Sequence, residues 1–414
     1  MSLKQSGNLL VISSAPGSFR DGGYNLDRKF ADGMRLYASL WPGRVTSLSP
    51  LAKGDAPPFS GQYKPGDLPF DIRFFRPGTP LTAADLDDAD VVLCSGDNAN
   101  YLHLSGLCKS LNKDIHFTIE YIPETRRQIV MLDRNKSAFR KMKSLIWLQY
   151  QELRRQHAFR QATGLQANGY PAADLYRKVN PNTLSYLDNR VDHDLLATRA
   201  ELRDRQDHLR SAGPIRLIHS GRLEPMKGAQ DLIPVARDLR DRGLDFSLNI
   251  FGTGSLEDQI RRDIDRHDLS DRVHLNGVVD FASRLMPYAR QNADIFLSCH
   301  RQSDPSCSYL ENMACGLAVI GYDNRMWQAL ADRSGAGWTA PLGRPAKLAE
   351  RVAQAAADRA QLVTRCDAAW RFAREHLFAH EFARRIGRLK AGQTVAQPVD
   401  AAQGQPQKVV RSGH

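Results

Sequence analysis

The 414-residue sequence predicts an α/β protein: two doubly wound, parallel-sheet domains joined by a hinge. Three observations predict it. The chain is too long for one hydrophobic core, which rarely serves more than about 250–300 residues. From position 215 onward, short apolar runs alternate regularly with helical patterns, the signature of a parallel sheet covered on both faces. The first half opens on a buried-strand run at 8–14 and carries further strand-like runs at 90–94 and 116–119.

In chain order, the opening strand leads into a loop holding Asp21-Gly22-Gly23 and then an amphipathic helix to about Leu40. Residues 50–80, rich in Pro and Gly, read as a long loop or hairpin excursion. Residues 191–213 form a charged connector, helical in pattern, that ends at Gly213-Pro214. The chain therefore divides into a first domain at 1–190, a linker at 191–213 and a second domain at 214–375, followed by a closing helix at 376–391. Strands of the second domain fall at 215–219, 246–251, 273–276, 293–298 and 318–321. Helices fall between them at about 228–242, 255–268, 281–291, 305–315 and 325–332. The tail at 392–414 has five glutamines, two prolines and no aromatic residue, so it is expected to be disordered.

Composition removes several classes. Hydrophobic content of 42% and charged content of 25% are those of an ordinary globular chain. No apolar run approaches the ~20 residues of a membrane span, and the N-terminus has no signal-like segment. Six cysteines without a C-x-x-C pair argue against a zinc ribbon, so a cytoplasmic chain is expected. The net charge of +11 is concentrated. Residues 126–160 hold ten basic side chains against two acids, Asp133 and Glu152, a local balance of +8. Phe139, Met142, Leu145, Ile146, Tyr150 and Leu153 recur there at helical spacing, with Trp147 beside them. Such a helix either buries one face and solvates the other, or lies peripherally on an anionic membrane surface at the inner face of the membrane. Nucleic acid is not an expected partner, because no zinc-finger spacing or RNP-like motif accompanies the charge.

Ligands of open α/β sheets bind at the carboxyl ends of strands, near glycine turns and helix N-termini. Three such turns stand out. After the strand at 215–219 comes Ser220-Gly221-Arg222-Leu223-Glu224-Pro225-Met226-Lys227-Gly228, where Arg222 and Lys227 could hold a diphosphate. After the next strand comes Phe251-Gly252-Thr253-Gly254, which lacks the third glycine of a dinucleotide fingerprint and is readable as a plain tight turn. The third runs from Ser303-Asp304-Pro305-Ser306-Cys307 to Glu311-Asn312-Met313-Ala314-Cys315-Gly316. Ser303 or Asp304 is expected to cap a helix with Pro305 in its first turn and Gly316 at its end. The amides near Ser306 and Cys307 then form an anion site. Glu311 follows about 9 Å along the axis at about 1.5 Å per residue, in reach of ribose hydroxyls.

In this order and spacing, Gly221-Arg222-Leu223 with Lys227-Gly228, Phe251-Gly252-Thr253-Gly254 and Glu311 to Gly316 resemble the C-terminal domain of glycosyltransferase family 4. These are GT-B enzymes that use nucleotide-sugar donors. The likeness covers 214–390 well and is looser before it, although Asp21-Gly22-Gly23 resembles the family's glycine loop. It implies two Rossmann-like domains with the donor in the cleft, and a C-terminal helix crossing back onto the first domain. By position, Arg222 and Lys227 would neutralise the diphosphate, Glu311 would bind the ribose, and Gly277 and Val278 would lie beside the base. Gly22 and Gly23 would approach the phosphates from the opposite domain.

Two departures concern the sugar. Where the family's E-x7-E pattern has its first Glu this chain has Ser303, with Asp304 adjacent. Where the family often has a His in the first domain, Glu120 follows the strand, a catalytic candidate for acceptor or sugar binding beside Arg222 and Lys227. No D-x-D pair sits at a strand end, and fixed cations can stabilise a departing diphosphate, so neither a metal nor a cofactor beyond the donor is expected. The resemblance implies transfer of a hexose-type sugar, with retention, to a hydroxyl on a glycan or lipid-linked acceptor. A catalytically silent nucleotide-sugar-binding partner and a GT-B nucleotide-sugar epimerase are the alternatives.

Overall fold

The computed structural model describes residues 7–53, 60–133, 136–211 and 213–391. The predicted disordered tail and Arg134 of the basic segment lie outside them. Each domain is built on an all-parallel sheet.

The strands of the first half are β1 (Leu9–Ile12), β2 (Ser18–Arg20), β3 (Gly23–Asp27), β4 (Val45–Pro50), β5 (Ser60–Tyr63), β6 (Asp71–Phe75), β7 (Val91–Ser95), β8 (Asp114–Ile119), β9 (Gly164–Asn168) and β10 (Thr183–Tyr186). Seven of them order as β10-β9-β8-β7-β1-β4-β6. The helices are α1 (Arg28–Leu40), α2 (Leu104–Ser110), α3 (Pro123–Leu132), α4 (Ala138–Gln161) and α5 (Tyr170–Tyr176). Two expectations are corrected here. The Asp21-Gly22-Gly23 segment is not a loop between strand and helix: it turns the hairpin β2–β3, with Asp21 and Gly22 both at positive φ, and β5 extends that hairpin into a small antiparallel sheet. The Pro- and Gly-rich stretch at 50–80 supplies an edge strand of the main sheet, β6, as well as the excursion to β5.

A helix α6 (Arg199–Arg210) occupies the connector; its Arg205 donates to the carbonyls of Ala293 and Gly316, at 2.8 and 3.1 Å, tying it to the second domain. That domain holds β11 (Ile215–Ser220), α7 (Leu232–Asp241), β12 (Phe246–Phe251), α8 (Glu257–Arg266), β13 (Val273–Gly277), α9 (Met286–Asn292), β14 (Ile295–Ser298), α10 (Cys307–Ala314), β15 (Ala318–Tyr322), α11 (Arg325–Ser334), β16 (Gly337–Ala340), α12 (Pro345–Ala357) and α13 (Arg359–Glu375). Its strand order is β13-β12-β11-β14-β15-β16. Strands β14 and β15 read as nearly unbroken apolar runs because both faces are covered, while β11 and β12 carry Arg216, His219, Ser247 and Asn249 among their apolar residues. Leu217, Leu248, Ile250, Leu297 and Ile320 fill one layer; Ile218, Phe296 and Val319 pack with Tyr309 and Trp327 in the other.

The chain then returns. Phe382, Ile386 and Leu389 of the last helix, α14 (Phe378–Lys390), complete a core made by Leu9, Val11, Met34 and Tyr37 of the first domain. Gly33 of α1 admits this helix: a Cβ there would lie 2.9 Å from the Phe382 ring. Between the domains, Arg325 pairs with Glu124 at 2.7 Å, and the backbone of Gly169 packs against Met326.

Candidate active site in the cleft

The carboxyl ends of β11, β12 and β13 lie side by side. Gly252 donates its amide to the Gly277 carbonyl at 2.8 Å, and a Cβ on Gly252 would sit 1.9 Å from the Gly221 carbonyl oxygen. The second glycine turn is therefore a place where backbone lies on backbone. Beyond it, Gly277 has a positive φ and open space above it, and Val278 is 59% exposed.

The two predicted cations are not equivalent. Arg222 is exposed, and among the described residues its guanidinium has neither a hydrogen bond nor an ion pair. Lys227 is buried, its Nζ 2.6 Å from Asp304 Oδ2. The short 3₁₀ turn Pro225–Lys227 that carries it ends on Gly228 in the left-handed region, where any Cβ would lie 1.7 Å from the Cys299 carbonyl oxygen. Among the described residues, Asp304 Oδ1 has no hydrogen-bond partner. Behind this pair, burial and the Lys227 charge keep His300 neutral, and burial lowers His219 to about 4.

The third turn differs from its predicted form. Helix α10 starts at Cys307 and its cap is Ser306, so Pro305 precedes the helix. The Ser306 hydroxyl bonds Ser308 Oγ at 2.8 Å instead of a helix amide. Ser303 accepts from the Arg325 amide at 3.1 Å, at the start of α11. Gly316, with φ +74°, terminates α10 as its sequence position implies. Glu311 is buried and already engaged: Arg190 Nε donates to its Oε1 at 2.8 Å, and the Arg190 guanidinium lies 3.8 Å over the Phe281 ring. Cys307, the first residue of α10, faces Lys29 of the other domain, which bonds Asp188 at 2.5 Å. Burial pushes the Cys307 thiol up to about 12, so the thiol is neutral. The charge that keeps the Lys29 ammonium protonated, against its own desolvation, is therefore Asp188.

On the first-domain side a cavity of about 650 Å³ opens beneath the carboxyl ends of β1, β7 and β8; Ser13, Asp97, Glu120, Tyr121, Asp188 and Arg385 are among its lining residues. Glu120 opens to solvent along the cleft, yet confinement between the domains and the neighbouring Asp97 and Asp188 carboxylates push its carboxyl up to about 7. Asp97 accepts the Glu120 amide at 2.7 Å and is held by Arg126. Just beyond Tyr121, α3 packs against the Pro225–Lys227 turn of the second domain, so the two halves of the site meet there. Gly22 and Gly23 are not among the cavity-lining residues: Gly22 sits at the exposed hairpin tip with no atom near its missing Cβ, and Gly23 packs on Gln62 and Tyr63.

Sequence reasoning missed Ser13, Lys29, Asp97 and Arg385. Asp97 had a signal, since Gly96-Asp97-Asn98 follows an apolar run as a ligand loop would. Arg385 had none: it reaches Gln166 Oε1 at 2.9 Å from a helix more than two hundred residues away.

Two parallel-sheet domains, with glycine turns at the strand ends of the second and a cavity at the strand ends of the first, have the GT-B architecture. Residues 201–371, in the second domain and the connector helix before it, match the family model for glycosyl transferases, group 1. Amylovoran biosynthesis glycosyltransferase AmsK of Erwinia amylovora is 31% identical over 154 residues, 35% of this chain and 37% of AmsK. WcaL of Escherichia coli (strain K12), provisionally named for colanic acid biosynthesis, is 27% identical over 148 residues, 34% of this chain and 36% of WcaL. The match thus spans little more than a third of either relative. HepE of Anabaena in complex with UDP shares the fold with a TM-score of 0.64 at 13% identity, over 94% of this chain and 100% of HepE. Sucrose-phosphate synthase of Thermosynechococcus elongatus does so with a TM-score of 0.63 at 14% identity, over 92% and 98%.

Proposed function

We propose that the protein is a glycosyltransferase of polysaccharide or lipid-linked glycan biosynthesis. It moves a hexose-type sugar from a nucleoside diphosphate to a hydroxyl acceptor, with retention and without a metal. The observation that carries this reading is the division of the cleft. Free Arg222, buried Lys227 and the first amides of α10 gather on one wall, and the Glu120 cavity opens on the other. Support also comes from AmsK, named for amylovoran biosynthesis, and from UDP in HepE.

The chemistry follows from charge. Breaking the bond between the anomeric carbon and the phosphate oxygen leaves negative charge on the diphosphate. Fixed cations and amides aimed there lower the barrier without reorganising. The acceptor oxygen bonds the same carbon, and its proton passes to the departing phosphate. Arg222 is the open cation for this role, and Lys227 has two further N–H donors beyond the one on Asp304. Glu311 would take the ribose through its second oxygen or on release of Arg190. Gly277 and Val278 would border the base.

The test combines binding and turnover. Melting temperatures are measured with UDP, GDP, ADP and their sugar conjugates, since a ligand of the folded state raises them by mass action. Arg222→Ala is expected to cut turnover about a hundredfold or more while changing stability by no more than about 0.5 kcal/mol, being exposed. Full activity in that variant would remove the donor-site assignment. A second reading, a silent nucleotide-sugar-binding partner, is favoured by Ser303 and by the occupied Glu311. It predicts a thermal shift with one nucleotide and no transfer to any acceptor.

A further inference from the structure

Helix α4 is buried along its C-terminal half only; its first half rests on α3, where Lys141 donates to the Met131 carbonyl at 2.7 Å. Its buried residues are Gln151, Glu152, Arg155, Ala158 and Phe159, and none of residues 138–150 is buried. The C-terminal half is anchored firmly: Arg155 donates to the Gly96 carbonyl at 2.8 Å, and Glu152 lies buried between Arg126 and Arg155. That anchor points the rest outward. On a helix of about 3.6 residues per turn, Phe139, Met142, Ile146, Tyr150 and Leu153 form one continuous stripe, each exposed by 54–70%. Scattered exposed apolar side chains are ordinary, but a contiguous stripe marks an interaction surface.

The flank of the stripe states what covers it. Arg140, Lys143 and Arg154 run along one edge, with Trp147, 55% exposed, among them. Glu152 is the helix's only acid, and it is buried and paired on the opposite side, so the outward face carries positive charge alone. A second copy of the chain would bring cation against cation. An anionic lipid surface answers both parts, taking the apolar stripe among its acyl chains and the cations among its headgroups, with Trp147 at the boundary. The anchored end of α4 lies beside the site: Arg155 holds the Gly96 carbonyl, next to cavity-lining Asp97, and α3, which packs on α4, leaves Met131 55% exposed.

We propose that α4 docks the protein peripherally on an anionic bilayer, its Phe139–Leu153 stripe inserted, which brings the Glu120 cavity to the headgroup level. That the cavity then meets a lipid-linked acceptor rests on the proposed function; the docking itself does not.

The experiment is flotation of the full chain with phosphatidylglycerol-rich vesicles and with pure phosphatidylcholine vesicles, read with Trp fluorescence and with sedimentation of the free protein. Binding is expected to the anionic vesicles alone, falling with salt. Lys143→Gln with Arg154→Gln is expected to weaken it about thirtyfold, at about a factor of five per cation. Ile146→Ser with Trp147→Ser is expected to weaken it on the order of tenfold or more. Both pairs should leave melting temperature and transfer to a soluble acceptor unchanged. No binding by folded protein at low salt, binding indifferent to both variants, or a dimer that the Ile146→Ser pair dissolves would each overturn the docking. Loss of docking with transfer intact would leave the proposed function standing, and docking without transfer would leave the docking standing.

Discussion

The two domains share an architecture and differ in how closely it is filled. In the second domain, the turn at Gly228 and the strand end at Gly252 press backbone on backbone, and the charged pair Lys227–Asp304 is buried. In the first, the corresponding features are open: Gly22 has empty space about it, the Lys29–Asp188 pair is partly exposed, and the first half of α4 has no buried residue. On the proposed function, the difference follows from what each wall would bind. A diphosphate and a ribose fix positions of charge to within a hydrogen bond, whereas an acceptor surface can vary in shape and still present a hydroxyl.

The sharpest test of this contrast compares the two ion pairs. Lys227→Ala leaves the Asp304 carboxylate buried without a cation, and loss of one member of a buried pair costs about 3–5 kcal/mol. Lys29→Ala removes a pair whose side chains are 34% and 23% exposed, and is expected to cost about 1 kcal/mol or less. Urea unfolding of the two variants against the unaltered protein gives the comparison. Equal costs would mean that the first-domain pair is as tightly held as the Lys227–Asp304 pair, and the contrast would fail. Lys227→Ala should also lose activity, but its stability cost makes Arg222→Ala the cleaner probe of charge.

The same contrast explains what could be read from the sequence. In the second domain the periods of strand and helix, the Gly221-Arg222 turn and the Glu311 helix are local signals, since each is set by neighbours along the chain. What failed there was contact across the chain: Ser303 serves α11 instead of capping α10, and Arg190 occupies Glu311 from the segment between domains. In the first domain more of the site is nonlocal. Strands β4, β6, β9 and β10 were not foreseen, since short runs of mixed polarity such as Val45–Pro50 and Gly164–Asn168 become strands only when the sheet supplies partners and buries them. Arg385 and Phe382 reach the acceptor cavity from the far end of the sequence.

A smaller effect is expected from Glu120, and it has a direction in pH. Its carboxyl is pushed up to about 7 by confinement and by Asp97 and Asp188, with Lys29 and Arg385 pulling the other way. A carboxyl raised in the folded state favours folding while protonated, so its contribution is full below the ordinary range near 4.5 and is lost as pH rises through about 7. Glu120→Gln removes that loss. The variant should gain stability relative to the unaltered protein above pH 7, by on the order of 1 kcal/mol or less since water screens the open cleft. Turnover should lose any step near pH 7 in the same variant. A stability difference that does not change between pH 5 and 8 would show that Glu120 is a normally titrating surface carboxylate.

The smallest effect is expected at Gly22, and it bears on the boundary between the two walls. Gly22 and Gly228 have nearly the same backbone, with φ of +71° and +70°. At Gly228 an added Cβ meets the Cys299 carbonyl, while at Gly22 it meets nothing within 4 Å. Gly22→Ala therefore carries only the left-handed conformational cost, about 1 kcal/mol, and part of that is offset by the stiffer unfolded chain. Nucleotide binding should be unchanged if the hairpin tip stands clear of the donor, as its absence from the cavity wall implies. If Gly22→Ala instead abolished the thermal shift with the preferred nucleotide at normal stability, the tip would have to reach the phosphates when the cleft closes. The open first domain would then share the tight steric requirement of the second, and the glycine loop inferred by resemblance would act through a hairpin instead of a strand-to-helix turn.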